Sequence, residues 1–74
     1  MKLIKRNDKY LIQRGIFFKE YLDMTVEGNY FGWYGVDYLD KYCSADSEII
    51  ALNQLRRYRL SIEKNKTKTV KWFV

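Results

Sequence analysis

Cys43 is the only cysteine in a chain of 74 residues that contains no histidine, so whatever fold forms must hold together by burial alone. An intrachain disulfide is impossible, and a structural zinc site would lack the Cys and His ligands that such sites use. A domain this short removes only roughly 60% of its unfolded surface from water, which leaves its core with a narrow margin of stability. The composition still favours folding: 47% of residues are hydrophobic and 18% aromatic, unlike the aromatic-poor makeup of disordered chains. The chain reads as one domain over residues 1–74. Cys43 itself reads as a small buried hydrophobe, since no histidine is present to activate its thiol. No apolar run approaches the roughly 20 residues of a membrane span, and the charged first residues lack a signal-peptide core. A soluble cytoplasmic protein with no membrane partner is expected.

The net charge of +5 conceals a segregated pattern. Residues 1–19 carry six Lys/Arg against Asp8, residues 20–48 carry seven acids against Lys41, and residues 49–74 carry seven Lys/Arg against Glu63. The acidic middle also holds the run Tyr30-Phe31-Gly32-Trp33-Tyr34-Gly35-Val36-Asp37-Tyr38-Leu39-Asp40-Lys41-Tyr42, with six of the thirteen aromatic residues. Basic arms alone would point to nucleic acid. An acidic aromatic segment repels phosphate and suits a basic protein surface instead.

Periodicity supplies the elements. Tyr10-Leu11-Ile12-Gln13-Arg14 is dense in β-formers and is broken by Gly15. From Ile16 to Met24, the set Ile16, Phe18, Leu22, Met24 alternates with Phe17, Lys19, Tyr21, Asp23, the period of two of a strand with one face inward. Glu27-Gly28-Asn29 offers turn chemistry, and a third strand is expected over about residues 30–38, with Gly32 and Gly35 marking a bulge or a close backbone approach. Ser44 is placed to cap a helix running from Ala45 to about Leu60, with Asp46 and Glu48 in its first turn and Arg56, Arg57 and Arg59 near its end, the arrangement that the helix dipole favours. Ala51, Leu52, Leu55 and Tyr58 form its apolar stripe, flanked by Ile49 and Ile50. Glu63 to Lys68 reads as a solvated loop, and Val70, Trp72 and Val74 alternate as in a terminal strand. The order β-β-β-α-β describes an α+β fold, an antiparallel sheet of three to four strands with one helix packed on one face.

The residue inventory argues against an enzyme. Imidazole-based triads cannot be assembled, Asp37 and Asp40 would lie on opposite faces of a continuing strand, and no Asp/Glu-x-Lys triplet, P-loop or dinucleotide fingerprint occurs. No catalytic, metal or cofactor site is expected. Two binding surfaces remain. Phe31 and Trp33 share a parity that suits packing beneath the helix, which places Tyr30, Tyr34 and Tyr38 on the opposite sheet face, with Asp37 and Asp40 at its rim. Tyrosines beside acids have the composition of protein interfaces, and one helix cannot cover both sheet faces, so a foreign protein or a dimer mate is the expected cover. The alternative is a nucleic-acid or nucleotide-ligand binder, in which Arg56, Arg57, Arg59, Lys64, Lys66 and Lys68 track phosphates.

Lys9-Tyr10-Leu11-Ile12-Gln13, Lys19-Glu20-Tyr21-Leu22-Asp23, the tryptophan-bearing strand at Trp33 and Ser44-Ala45-Asp46-Ser47-Glu48 opening a helix give residues 9–60 a pattern that resembles the small accessory proteins of tailed phages. That class includes compact α+β inhibitors of host enzymes, among them anti-CRISPR and anti-restriction proteins. The resemblance implies a non-enzymatic inhibitor that binds a host defence protein in the host cytoplasm. It assigns no role to any individual residue, and the +5 charge departs from the strongly acidic DNA mimics of the class.

Overall fold

The computed structural model describes residues 1–28 and 30–65. Four strands, β1 (Lys2–Arg6), β2 (Lys9–Arg14), β3 (Glu20–Leu22) and β4 (Trp33–Tyr34), form an antiparallel sheet in the order β1-β2-β3-β4. A 3-10 turn (Val36–Tyr38), a π-helical turn (Leu39–Cys43) and the helix α1 (Glu48–Asn65) follow. The fold is the expected α+β arrangement of a sheet and one helix. The expected terminal strand through Val70, Trp72 and Val74 lies outside the described residues, as does Asn29 of the expected turn.

The sheet is built on a hairpin that the sequence reading does not assign, with β1 pairing along the whole length of β2 from Lys2↔Gln13 to Arg6↔Lys9. Asn7 takes a left-handed φ of 56° in the connecting turn, a conformation its short polar side chain tolerates. Pairing Leu3 with Ile12 and Ile4 with Leu11 sends the two pairs to opposite faces, since successive strand residues alternate. Two cores result. Ile12 and Leu22 pack with Ala45 and Ala51 on one face, joined by Leu3, Phe31, Trp33, Leu55 and Tyr58. Leu11 and Tyr21 pack with Leu39 and Cys43 on the other, joined by Ile4, Tyr34 and Tyr42. The turns spanning 36–43 therefore cover the face that the helix cannot reach.

Several expectations need correction. The strand expected from Ile16 is only Glu20–Leu22, because Gly15 (φ 97°) turns the chain so tightly that a Cβ there would lie 2.2 Å from the Phe18 carbonyl oxygen. The strand expected over 30–38 is only Trp33–Tyr34; beyond Gly35 the backbone coils, and Tyr38 and Asp40 sit on helical turns. The helix starts at Glu48 rather than Ala45. Ala45 instead exchanges two 2.9 Å backbone hydrogen bonds with Tyr10, the Ser44 hydroxyl donates to the Leu39 carbonyl, and the Ser47 hydroxyl caps the helix by accepting from the Ile50 N–H at 3.2 Å. At its other end the helix continues through Asn65, so the first residues of the expected loop are helical.

The helix docks through Ala51, Leu55 and Tyr58 of the expected stripe, but Leu52 is not part of it, and the buried face extends to Gln54 and Ser61 instead. Ala51, Gln54 and Ser61 are buried and Tyr58 half-buried, while Leu52, Ile49, Ile50, Leu60 and Ile62 face outward. Polar bonding decides the matter: the Gln54 amide donates to the carbonyls of Asp23 and Val26, both at 3.1 Å, and Arg57 donates to the carbonyls of Val26 (2.7 Å) and Gly28 (3.0 Å) and to Gln54 Oε1 (2.8 Å). These bonds satisfy loop carbonyls that docking would otherwise strand away from water.

Candidate interaction surface

Phe31 and Trp33 meet Tyr58 edge-on beneath the helix, at centroid distances of 5.9 and 5.3 Å, as their parity implies. The Arg14 guanidinium lies 4.0 Å from the Trp33 ring centroid and is oriented from its other side by Glu20 at 3.2 Å. Tyr34, paired with Tyr21 across β3 and β4, projects to the opposite face. There it joins Tyr38 and Tyr42, with centroid distances of 5.5 Å (Tyr34–Tyr38), 5.1 Å (Tyr34–Tyr42) and 5.8 Å (Tyr38–Tyr42). Coiling of residues 36–43 brings Tyr38 and Tyr42 back over the end of β4, which an extended strand would not do. Lys41 lies 5.2 Å from the Tyr42 ring centroid.

The cluster grades from core to solvent. Tyr34 and Tyr42 are half-buried against Leu11, Tyr21, Leu39 and Cys43, whereas Tyr38 is 48% exposed. Asp37 and Asp40 are exposed on the same helical turns. Tyr30 is 85% exposed, and among the described residues no ring pair includes it. The structure thus brings together Tyr34, Tyr38 and the two acids, adds Tyr42, and leaves Tyr30 outside the cluster. Tyr42 shares the parity of Tyr34 and Tyr38 but lies beyond the strand expected over residues 30–38, so only the coiled turn of Leu39–Cys43 shows that it joins them.

Burial holds the Tyr34 hydroxyl and the Cys43 thiol in their protonated forms. Desolvation, followed by the negative charge of nearby Asp23, raises the Tyr34 pKa. The same two causes push the Cys43 thiol up to about 11, which holds it protonated and suits it to packing rather than nucleophilic attack. Asp23 is itself buried, and its carboxylate accepts from the Thr25 N–H at 2.7 Å and the Thr25 hydroxyl at 2.6 Å.

Of the alternative basic set, the structure describes the side chains of Arg56, Arg57 and Arg59. Arg57 is committed to the loop carbonyls and lies 5.5 Å from the Phe31 ring centroid, so it is turned toward the fold rather than free to track phosphates. Arg56 and Arg59 are exposed and line a shallow hollow with Leu52, Leu55, Leu60 and Ile62. Lys64 lies in the last turn of α1, and Lys66 and Lys68 fall outside the described residues.

Among the described residues, the bend between β2 and β3 carries three consecutive, almost fully exposed apolar side chains. Ile16, Phe17 and Phe18 are 85, 91 and 88% exposed. Phe17 and Phe18 border a shallow hollow whose far side is Gly35 and the exposed Val36. Sequence reasoning spread these three residues over two faces of a strand; the available signal was Gly15 directly before three consecutive large apolar residues. No protein-family model, curated protein or solved structure matches the chain.

Proposed function

We propose that this chain is a small non-enzymatic interaction module that acts by binding another protein, as a phage-type inhibitor of a host defence protein in the host cytoplasm would. The observation that carries the reading is the tyrosine cluster: Tyr38 is presented to solvent on a base of Tyr34 and Tyr42, with exposed carboxylates at Asp37 and Asp40. A tyrosine braced in this way loses little conformational freedom on binding and offers both ring surface and a hydroxyl. Two flanking carboxylates favour a basic partner surface and speed encounter with it. Tyr30 supplies a separate exposed ring, and the pattern shared with phage accessory proteins supports a host defence protein as the target. The nucleic-acid reading is weakened by the engagement of Arg57 inside the fold.

The test pairs an activity with a binding measurement. Expression of the chain in bacteria that carry a CRISPR or restriction system should raise the plating efficiency of a targeted phage. Tagged chain should retain its partner through nuclease treatment of the lysate. Tyr38→Ala should weaken that capture by about 2 kcal/mol, as loss of an aromatic hot spot does, with the fold intact by circular dichroism. Asp40→Lys should chiefly slow association. Capture abolished by nuclease, or unchanged in Tyr38→Ala, would refute the assignment.

A further inference from the structure

Ile16, Phe17 and Phe18 follow one another and are all at least 85% exposed. In an extended strand one of three consecutive side chains would face the opposite way from its neighbours; here all three are exposed, and Phe17 and Phe18 continue the apolar edge to Val36 across a shallow hollow. The end of the sheet that carries it is basic. Lys19 is exposed within the connection, and Lys2, paired with Gln13, lies where β2 enters the bend. Glu20, the nearest acid in sequence, is engaged by Arg14. Asp37, exposed next to Val36, is the one carboxylate of the neighbouring turn and opposes the two lysines.

We infer that this edge is a peripheral membrane contact, in which Ile16, Phe17 and Phe18 enter the boundary between headgroups and acyl chains of an anionic lipid surface while Lys19 and Lys2 meet its phosphates. A fluid acyl layer conforms to this edge without a matching pocket, and anionic headgroups complement Lys2 and Lys19, whereas a second copy would bring the same two lysines to the contact. Apolar and aromatic side chains flanked by lysines are the composition that interfacial anchoring requires, and attraction to anionic lipid adds to apolar burial. The chain has no helix among its described residues long and apolar enough to cross a membrane, and insertion of a loop tip needs none. The inference uses a different surface from the tyrosine cluster and stands independently of the proposed protein target.

Flotation of the purified chain with vesicles of phosphatidylcholine, with and without phosphatidylglycerol, tests it. The parent should float with the anionic vesicles and lose most of that binding without phosphatidylglycerol. Phe17→Ser with Phe18→Ser should bind at least about tenfold more weakly, given the apolar area removed from the contact, and Lys2→Ser with Lys19→Ser should reduce the dependence on anionic lipid. Tyr38→Ala should float like the parent. Failure of the parent to bind, or undiminished binding of the double phenylalanine variant, overturns the inference. So does a dimer in sedimentation velocity that the same variant dissolves, since the occupant would then be a second copy. Circular dichroism melts of each variant establish that the readout is made on folded protein.

Discussion

The tyrosine cluster and the β2–β3 bend are both dense in large apolar rings, yet one packs and the other does not. Tyr34 and Tyr42 each touch two other rings and rest on the core of Leu11, Tyr21, Leu39 and Cys43. Phe17 and Phe18 project into solvent a short way along the same side of the sheet. Chain geometry accounts for the difference. After Gly35 the backbone coils and folds its side chains back over β4, while at Gly15 it reverses in a bend too tight to bring its own side chains onto the sheet. Aromatic content alone therefore says little about burial. Where the backbone can curl back, rings build core, and where it must turn outward they remain available to something else.

The packed side of this comparison yields the largest effects. Leu22 is completely buried between the sheet and the helix, and Leu22→Ala should destabilise the chain by roughly 2–5 kcal/mol in urea denaturation. In a domain so small that loss can unfold it. Leu52→Ala, on the outer side of the helix, should cost well under about 1 kcal/mol. Equal losses for the two leucines would show that Leu52 packs beneath the helix with Ala51, Leu55 and Tyr58.

Raising the pH probes the same core chemically. The folded Cys43 thiol titrates at about 11 against an ordinary 9.0, so between those values the folded chain holds a proton that the unfolded chain has released. The stabilising contribution is complete below about pH 9 and is lost as pH rises toward 11, on the order of 2–3 kcal/mol in total. Tyr34, also raised, acts in the same direction above its ordinary value of 10.0. Denaturation midpoints measured across this range should fall, and Cys43→Ala should flatten the first part of the fall. A parent midpoint independent of pH between 9 and 11 would contradict the burial of Cys43.

A smaller effect is expected where polar groups set the docking of the helix. Arg57→Met keeps much of the apolar stem but removes the donor to the Gly28 carbonyl and leaves the Val26 carbonyl with that of Gln54 alone, and should cost about 1–2 kcal/mol by thermal melt. Arg56→Met, on the exposed side, should change stability by less than about 0.5 kcal/mol.

These contrasts also mark what could be read from the sequence. The helix, the antiparallel sheet and the placement of Phe31 and Trp33 beneath Tyr58 follow from period and parity, because those residues obey the rules of the element they occupy. β1 escaped notice because Leu3 and Ile4 sit among Lys2, Lys5 and Arg6 and look like part of a charged arm; only pairing with β2 gives them opposite faces to bury. Ala51, Leu55 and Tyr58 of the helix face are legible from hydropathy, whereas its polar part is not, because Gln54 and Arg57 dock through hydrogen bonds to a loop that is distant in sequence. The tyrosine and acid residues of the candidate surface were named correctly as neighbours in part: Tyr34 and Tyr38 do meet, but through a coiled backbone rather than along a strand, and Tyr30 stands apart. For Ile16, Phe17 and Phe18 an alternating pattern was mistaken for a strand, since a bend set by one glycine leaves no periodic signature of its own.

The contrast between packed rings and presented rings rests most directly on the bend, and urea denaturation of the Phe17→Ser, Phe18→Ser double variant tests it. Because both side chains stand in solvent, the unfolding free energy should remain within about 0.5 kcal/mol of the parent, with an unchanged dependence on urea. A loss of more than about 3 kcal/mol, the cost of truncating buried phenylalanines, would place these rings in the core and contradict the account.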